Sequence, residues 1–201
     1  MTVDLALALI AYAFVTSITP GPNNTMLLAS GVNFGFRRTI PHTLGVAVGF
    51  DVVVIVVGLG VGTLFITYPP IHLALRYAGI AYTLYLAWKI ARSGAMHGEA
   101  QAGQPMTFLQ AAAFQWVNPK VWVMVMGVLT AYTPQQDFYW NVLIVALLFG
   151  LVNWPCVVSW AAFGTVLRRY FTNPNYVRVF NVGMALLLVA SLVPLLFEGA
   201  V

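Results

Sequence analysis

The chain has 201 residues, 61% of them hydrophobic and only 7% charged, with a mean hydropathy of +0.87 and a net charge of +4. A water-soluble domain carries about 25% charged residues, so this composition excludes one and makes the lipid bilayer the main solvent. The basic residues stand singly or in pairs between apolar runs; that pattern fits the loops of a membrane protein and excludes a nucleic-acid partner.

Apolar runs bounded by charges and turn residues predict six transmembrane helices, at roughly 4–33, 40–67, 71–92, 106–133, 138–166 and 177–197. The N-terminal "MTVDLALALIAYAFV" has no basic region and carries Asp4, so it reads as the first span and not as a cleavable leader. No charge stands between Asp4 and Arg37, yet "SITPGPNNTML" interrupts this run. Proline removes a backbone donor and clashes with the preceding turn, so Pro20-Gly21-Pro22 predicts a broken helix. In hydrocarbon, broken backbone is tolerated only where it is buried in protein or lines a polar cavity. Asn23 and Asn24 can supply some of the missing partners. The half-helix from Pro22 would point free amides and a positive dipole end into the membrane, which suits an anion.

In the second span Asp51 is the only acid deep in a predicted helix. Two readings stand together: a proton-coupling group, or one half of a structural salt bridge, for example with Lys120. Gly31/Gly35, Gly45/Gly49 and Gly58/Gly62 have the small-xxx-small spacing that lets helices approach closely. After the third span, residues 93–105 form the longest connection and divide the chain into halves of about 1–98 and 99–201. No connection could hold a second domain, so 1–201 reads as one transmembrane unit.

The fourth span repeats the interruption in "FQWVNPKVW". Asn118 suits a helix N-cap and Pro119 the first helical position. Lys120 adds a full charge inside the span, at an insertion cost of about 2.5–3.5 kcal/mol, so it is expected to face a polar interior. Both breaks are therefore expected to line one cavity near the midplane. In the fifth span Asn153 precedes Trp154-Pro155, an expected kink, and the lone Cys156 reads as packing. His42, His72 and His97 lie singly without metal-ligand spacing, so no metal site and no cofactor are expected.

The halves correspond to one another. Thr19-Pro20 matches Asn118-Pro119 at a spacing of 99, and "GFD" at 49–51 matches "GLVN" at 150–153, which sets Asp51 opposite Asn153. "RYAGIAY" from Arg76 pairs with "RVFNVGM" from Arg178 at an offset of 102. The expected fold is an all-α membrane protein of six helices in a 3+3 inverted repeat, with helices 1 and 4 broken, an architecture of secondary transporters. Arg37, Arg38, Lys89, Arg92, Arg168, Arg169 and Arg178 fall in the first, third and fifth loops, against Arg76 alone on the other side. This asymmetry puts the basic loops in the cytoplasm and both termini outside.

"TPGPNN", "GFRR", "GVAVGF", "YLAWKIA" and "NPK" together resemble the lysine-exporter/threonine-resistance (LysE/RhtB) family of bacterial amino-acid exporters over nearly the whole chain. The "TPGPNN" and "AWKIA" wording is closest to the branch that exports cysteine and O-acetylserine. The resemblance implies efflux of a small amino acid or derivative, of the cysteine, O-acetylserine, homoserine or threonine class, across the bacterial inner membrane by proton antiport. It points to Pro20, Gly21, Pro22, Asn118, Pro119 and Lys120 as the matching motif positions. Some members carry the membrane-embedded acid in the fifth helix, where this chain has Asn153; here Asp51 in the second helix holds the charge.

The expected partners are thus a small amino-acid substrate, protons and the bilayer, with a homo-oligomer left open. One deep acid suits one ammonium or one proton and argues against dibasic substrates. The alternative is a cation or metal exporter of a related superfamily, which would want clustered carboxylates or Cys and His. No nucleophile–base motif stands in the spans, so an enzyme is not expected.

Overall fold

The computed structural model describes residues 1–61, 67–93, 104–171 and 173–193. Among these residues every regular element is a helix. Helix α1, Val3–Ile18, starts at Thr2, whose hydroxyl accepts from the Leu5 amide at 3.3 Å. It bends by 54° into α2, Pro22–Phe34. Gly35 alone joins α2 to α3, Phe36–Val56, and takes φ +78°, a left-handed conformation open to glycine. Helix α3 runs on into a π-turn, Val57–Val61, with Gly60 at φ +117°.

Helix α4 is Pro69–Arg92. Helix α5, Phe108–Phe114, opens on a capping box between Thr107 and Gln110, and α6, Pro119–Ala131, follows after a four-residue gap. Helix α7, Phe138–Arg168, passes through Pro155 as one helix, and α8 is Pro174–Ala190. By length and apolar character Phe36–Gly60 and Phe138–Arg168 each suffice to cross a bilayer, and the bent α1–α2 pair is long and apolar enough for a third crossing if its halves form one span. Helices α6 and α8 are shorter apolar helices of 13 and 17 residues. Residues 62–66 and 194–197 of the expected second and sixth spans, and most of the mid-chain linker with His97, lie outside the described residues.

The interior forms two apolar clusters. One gathers Leu9, Phe50, Val53, Val125 and Phe149, with the Phe50 and Phe149 rings stacked 4.5 Å apart. The other gathers Met26, Leu27, Phe114, Val157 and Leu188. Along α1–α2, α5–α6 and α7, the polar stretches 17–24 and 115–120 and Asn153 fall between members of the two clusters.

Several of the spaced glycines do allow close approach. A Cβ on Gly31 would strike the carbonyl of Ala161 and come within 2.9 Å of the Thr165 amide, and one on Gly164 would strike the carbonyl of Leu28. Helices α2 and α7 therefore touch backbone to backbone. Gly45 and Gly49 face α5 in the same way, at Phe108 and Ala112, and Gly58 faces Val142. Gly35 differs: its role is the α2–α3 turn, with the Arg168 guanidinium against it.

Candidate functional site

Breaking a helix frees carbonyls at the end of the first half and amides at the start of the second. At the first break each carbonyl from Val15 to Pro20 accepts a hydrogen bond. Val15 takes the Thr19 amide at 3.2 Å, and Thr16 takes the Thr19 hydroxyl at 3.1 Å. Ser17 and Thr19 take the Asn24 amide group at 2.7 and 2.8 Å, and Ile18 takes the Trp160 indole N–H at 3.2 Å. Lys120 Nζ then donates to the Thr19 carbonyl at 2.8 Å, to Thr19 Oγ1 at 2.9 Å and to the Pro20 carbonyl at 3.4 Å. Interior backbone polar groups need such partners, and here side chains supply most of them.

The amide side is less complete. Gly21 is the N-cap of α2 and has no side chain to cap with, so no side chain satisfies the first amides of this half-helix. Its φ of −177° is ordinary extended backbone, so what glycine provides here is room. A Cβ at this position would lie 2.7 Å from Lys120 Cδ and 3.2 Å from Nζ. Any larger residue would push the lysine off the break.

The second break is capped as expected. Asn118, 1% exposed, accepts from the Lys120 amide at 3.1 Å, and Pro119 occupies the first helical position. The indole of Trp122 donates to the Trp116 carbonyl at 2.8 Å. Asn23 exchanges hydrogen bonds with Gln115, which lies at the end of α5. The two interruptions are therefore tied to one another directly, by Lys120 and by this amide pair.

Between them lies a cavity of about 340 Å³, counting space open to solvent. Its lining includes Gly21, Asn23, Asn24, Asn118, Lys120 and Asn153, six of the residues singled out from the sequence. Thr16, Ser17, Phe50, Val121, Met124 and Val157 complete it. Pro20, Pro22 and Pro119 shape the breaks without lining the cavity.

Asp51 also stays outside the lining. Its carboxylate lies against Gly150 of α7, where an added Cβ would strike Oδ2 and come within 2.8 Å of Oδ1. Oδ1 is buried without a hydrogen-bond partner, and so is the Asn153 Nδ2 group on the same helix as Gly150. The sequence left a salt bridge with Lys120 open, but the lysine ammonium is held by Thr19 and Pro20 and no ion pair joins it to Asp51 among the described residues. The physical reason is position: Lys120 sits at the start of α6, beside the open carbonyl end of α1.

The sequence reading missed Thr19, Gln115 and Trp160, three partners of the broken backbone. Gln115, 0% exposed, was visible only as one more polar residue in an apolar run. A second amide pair, Asn33 with the buried Asn181 at 2.8 and 2.9 Å, ties α2 to α8, and Asn181 also donates to the Ser93 carbonyl at 2.7 Å.

Two interrupted helices meeting at a shared, partly open cavity lined by asparagines and a lysine, in a helical membrane protein, have the form of a solute transporter. The chain belongs to the LysE type translocator family, whose model matches residues 14–199. It is similar to the cysteine/O-acetylserine efflux proteins of Escherichia coli (strain K12), Escherichia coli O9:H4 (strain HS) and Shigella sonnei (strain Ss046). Each is 35% identical over 191 residues, which cover 94% of this chain and 96% of the relative. No solved structure matches the chain.

Proposed function

We propose that this protein exports a small neutral amino acid or derivative, of the cysteine or O-acetylserine class, from the cytoplasm in exchange for protons. One observation carries the reading: both helix breaks open on the same polar cavity, with Lys120 bridging them. The free amides at the start of α2 and the ammonium of Lys120 are donors suited to a carboxylate. The relatives named as cysteine/O-acetylserine efflux proteins support the substrate class.

A six-span 3+3 inverted repeat suits this function. Helices α1–α2 and α5–α6 are each interrupted at a proline motif, and the interruptions face each other. The basic loops support an orientation with both termini outside, and the bacterial efflux relatives support an inner-membrane location. Asp51 is the group proposed to carry the proton, because it is half-buried, its Oδ1 is buried without a partner, and it sits where α3 meets α7.

Proteoliposomes test the proposal directly. Labelled O-acetyl-L-serine and cysteine should leave the cytoplasmic-side compartment faster when an inward proton gradient is imposed. Flux of divalent metal ions without amino-acid flux would reject the reading in favour of a cation exporter.

A further inference from the structure

We infer that the oxygens now holding the Lys120 ammonium form the binding site for the α-ammonium of the substrate, with Lys120 acting as a tethered occupant that the substrate displaces. This inference rests on the amino-acid exporter reading. Three oxygens converge on Nζ: the Thr19 carbonyl at 2.8 Å, Thr19 Oγ1 at 2.9 Å and the Pro20 carbonyl at 3.4 Å. The Thr19 hydroxyl gives its own proton to the Thr16 carbonyl at 3.1 Å, so its lone pairs are turned to the cation. All three are acceptors, and an ammonium with three donors matches them.

Thr19 and Pro20 are exposed and stand outside the cavity lining, so the cluster lies at the edge of the cavity. Thr16 and Gly21, on either side of it, line the cavity together with Lys120 itself. Gly21 leaves the room through which the lysine reaches it. An α-amino acid carries the same primary ammonium as lysine, and its carboxylate is one carbon away. The carboxylate draws Lys120 off the break as the substrate ammonium takes the vacated oxygens. Thr19 O keeps its bond from Asn24 throughout, while all three oxygens exchange one ammonium for another. A ligand with only one of the two charged groups completes half of this exchange. The site therefore selects zwitterions.

Binding to the full chain in lipid nanodiscs tests this with three probes: O-acetyl-L-serine, its methyl ester, and 3-acetoxypropanoate. The ester keeps the ammonium and masks the carboxylate; the propanoate keeps the carboxylate and lacks the ammonium. In the unmodified protein each half-analogue should bind at least about tenfold more weakly than the zwitterion, the scale of a lost charge-assisted hydrogen bond. In Lys120→Met the cluster is open, so the ester should gain about tenfold while the zwitterion loses its carboxylate partner and weakens. Replacing sodium with choline should change none of these values. Propanoate binding equal to that of the zwitterion overturns the inference, as does ester binding that fails to rise in a folded Lys120→Met. Binding that requires sodium assigns the oxygens to a metal cation and overturns it too. If Lys120→Met does not fold, the probe comparison in the unmodified protein decides alone. Amino-acid flux in proteoliposomes separates the two failures: flux with no preference for the zwitterion sinks only this inference, whereas absence of flux and binding sinks the exporter reading with it.

Discussion

Asn23 and Gln115 exchange two side-chain hydrogen bonds across the meeting point of the helix breaks, Asn23 Nδ2 to Gln115 Oε1 at 2.7 Å and Gln115 Nε2 to Asn23 Oδ1 at 3.1 Å. Gln115 also donates to the Ala111 carbonyl at 2.8 Å, so its amide is held from both sides. Gln115→Leu would leave the Asn23 amide without its partner, at a cost of about 1–3 kcal/mol. The double change Asn23→Leu with Gln115→Leu should recover part of that loss, because no stranded polar group remains. Thermal unfolding of the four proteins in detergent gives the coupling. Strictly additive losses would show that the pair is not an energetic unit.

Gly150→Ala should destabilise the protein by about 1–3 kcal/mol, the usual penalty of overpacking. The new methyl group would collide with the Asp51 carboxylate. Shortening the acid relieves the collision, so Gly150→Ala with Asp51→Ser should unfold at a higher temperature than Gly150→Ala alone. Equal melting temperatures would place the conflict elsewhere.

Asp51→Asn keeps the shape of the side chain and removes its charge. Because Lys120 is held by Thr19 and Pro20, this change strands no lysine, and the variant should fold without the loss of about 3–5 kcal/mol that follows a broken buried pair. Uphill export driven by a proton gradient should be lost. Downhill exchange of labelled for unlabelled substrate should survive, since exchange leaves the proton load unchanged. Parental pH-dependent export by folded Asp51→Asn would remove Asp51 from proton coupling.

The orientation is checked by accessibility. In a Cys156→Ala background, Gly98→Cys should react with an impermeant thiol reagent only from the cytoplasmic face and Gln136→Cys only from the outside. Labelling of both from one face would overturn the topology drawn from the basic loops.

The breaks were legible in the sequence because their cause is local: Pro20-Gly21-Pro22 and Asn118-Pro119 each contain the residues that stop and restart a helix. The lining of the cavity followed, since Asn24, Asn118, Lys120 and Asn153 are polar residues with nowhere else to go in an apolar chain. The partners of the freed carbonyls were not legible. Trp160 reaches Ile18 across 142 residues, Lys120 reaches Thr19 across 101, and Gln115 reaches Asn23 across 92. Only the packed helices bring such pairs together. The Asp51–Lys120 option failed for the same reason: charge alone nominated the pair, and helix placement gave the lysine nearer acceptors.

The contact of Gly31 with Gly164 has a mechanical consequence. Two helices whose backbones touch have no intervening layer of side chains, so a methyl group added at either glycine would force α2 and α7 apart. The Asn33–Asn181 amide pair pins the far end of α2 to α8 in addition. At the near end the 54° elbow between Ile18 and Pro22 is tied to the same two helices, through Trp160 of α7 on the Ile18 carbonyl and Asn24 of α2 on the Ser17 carbonyl.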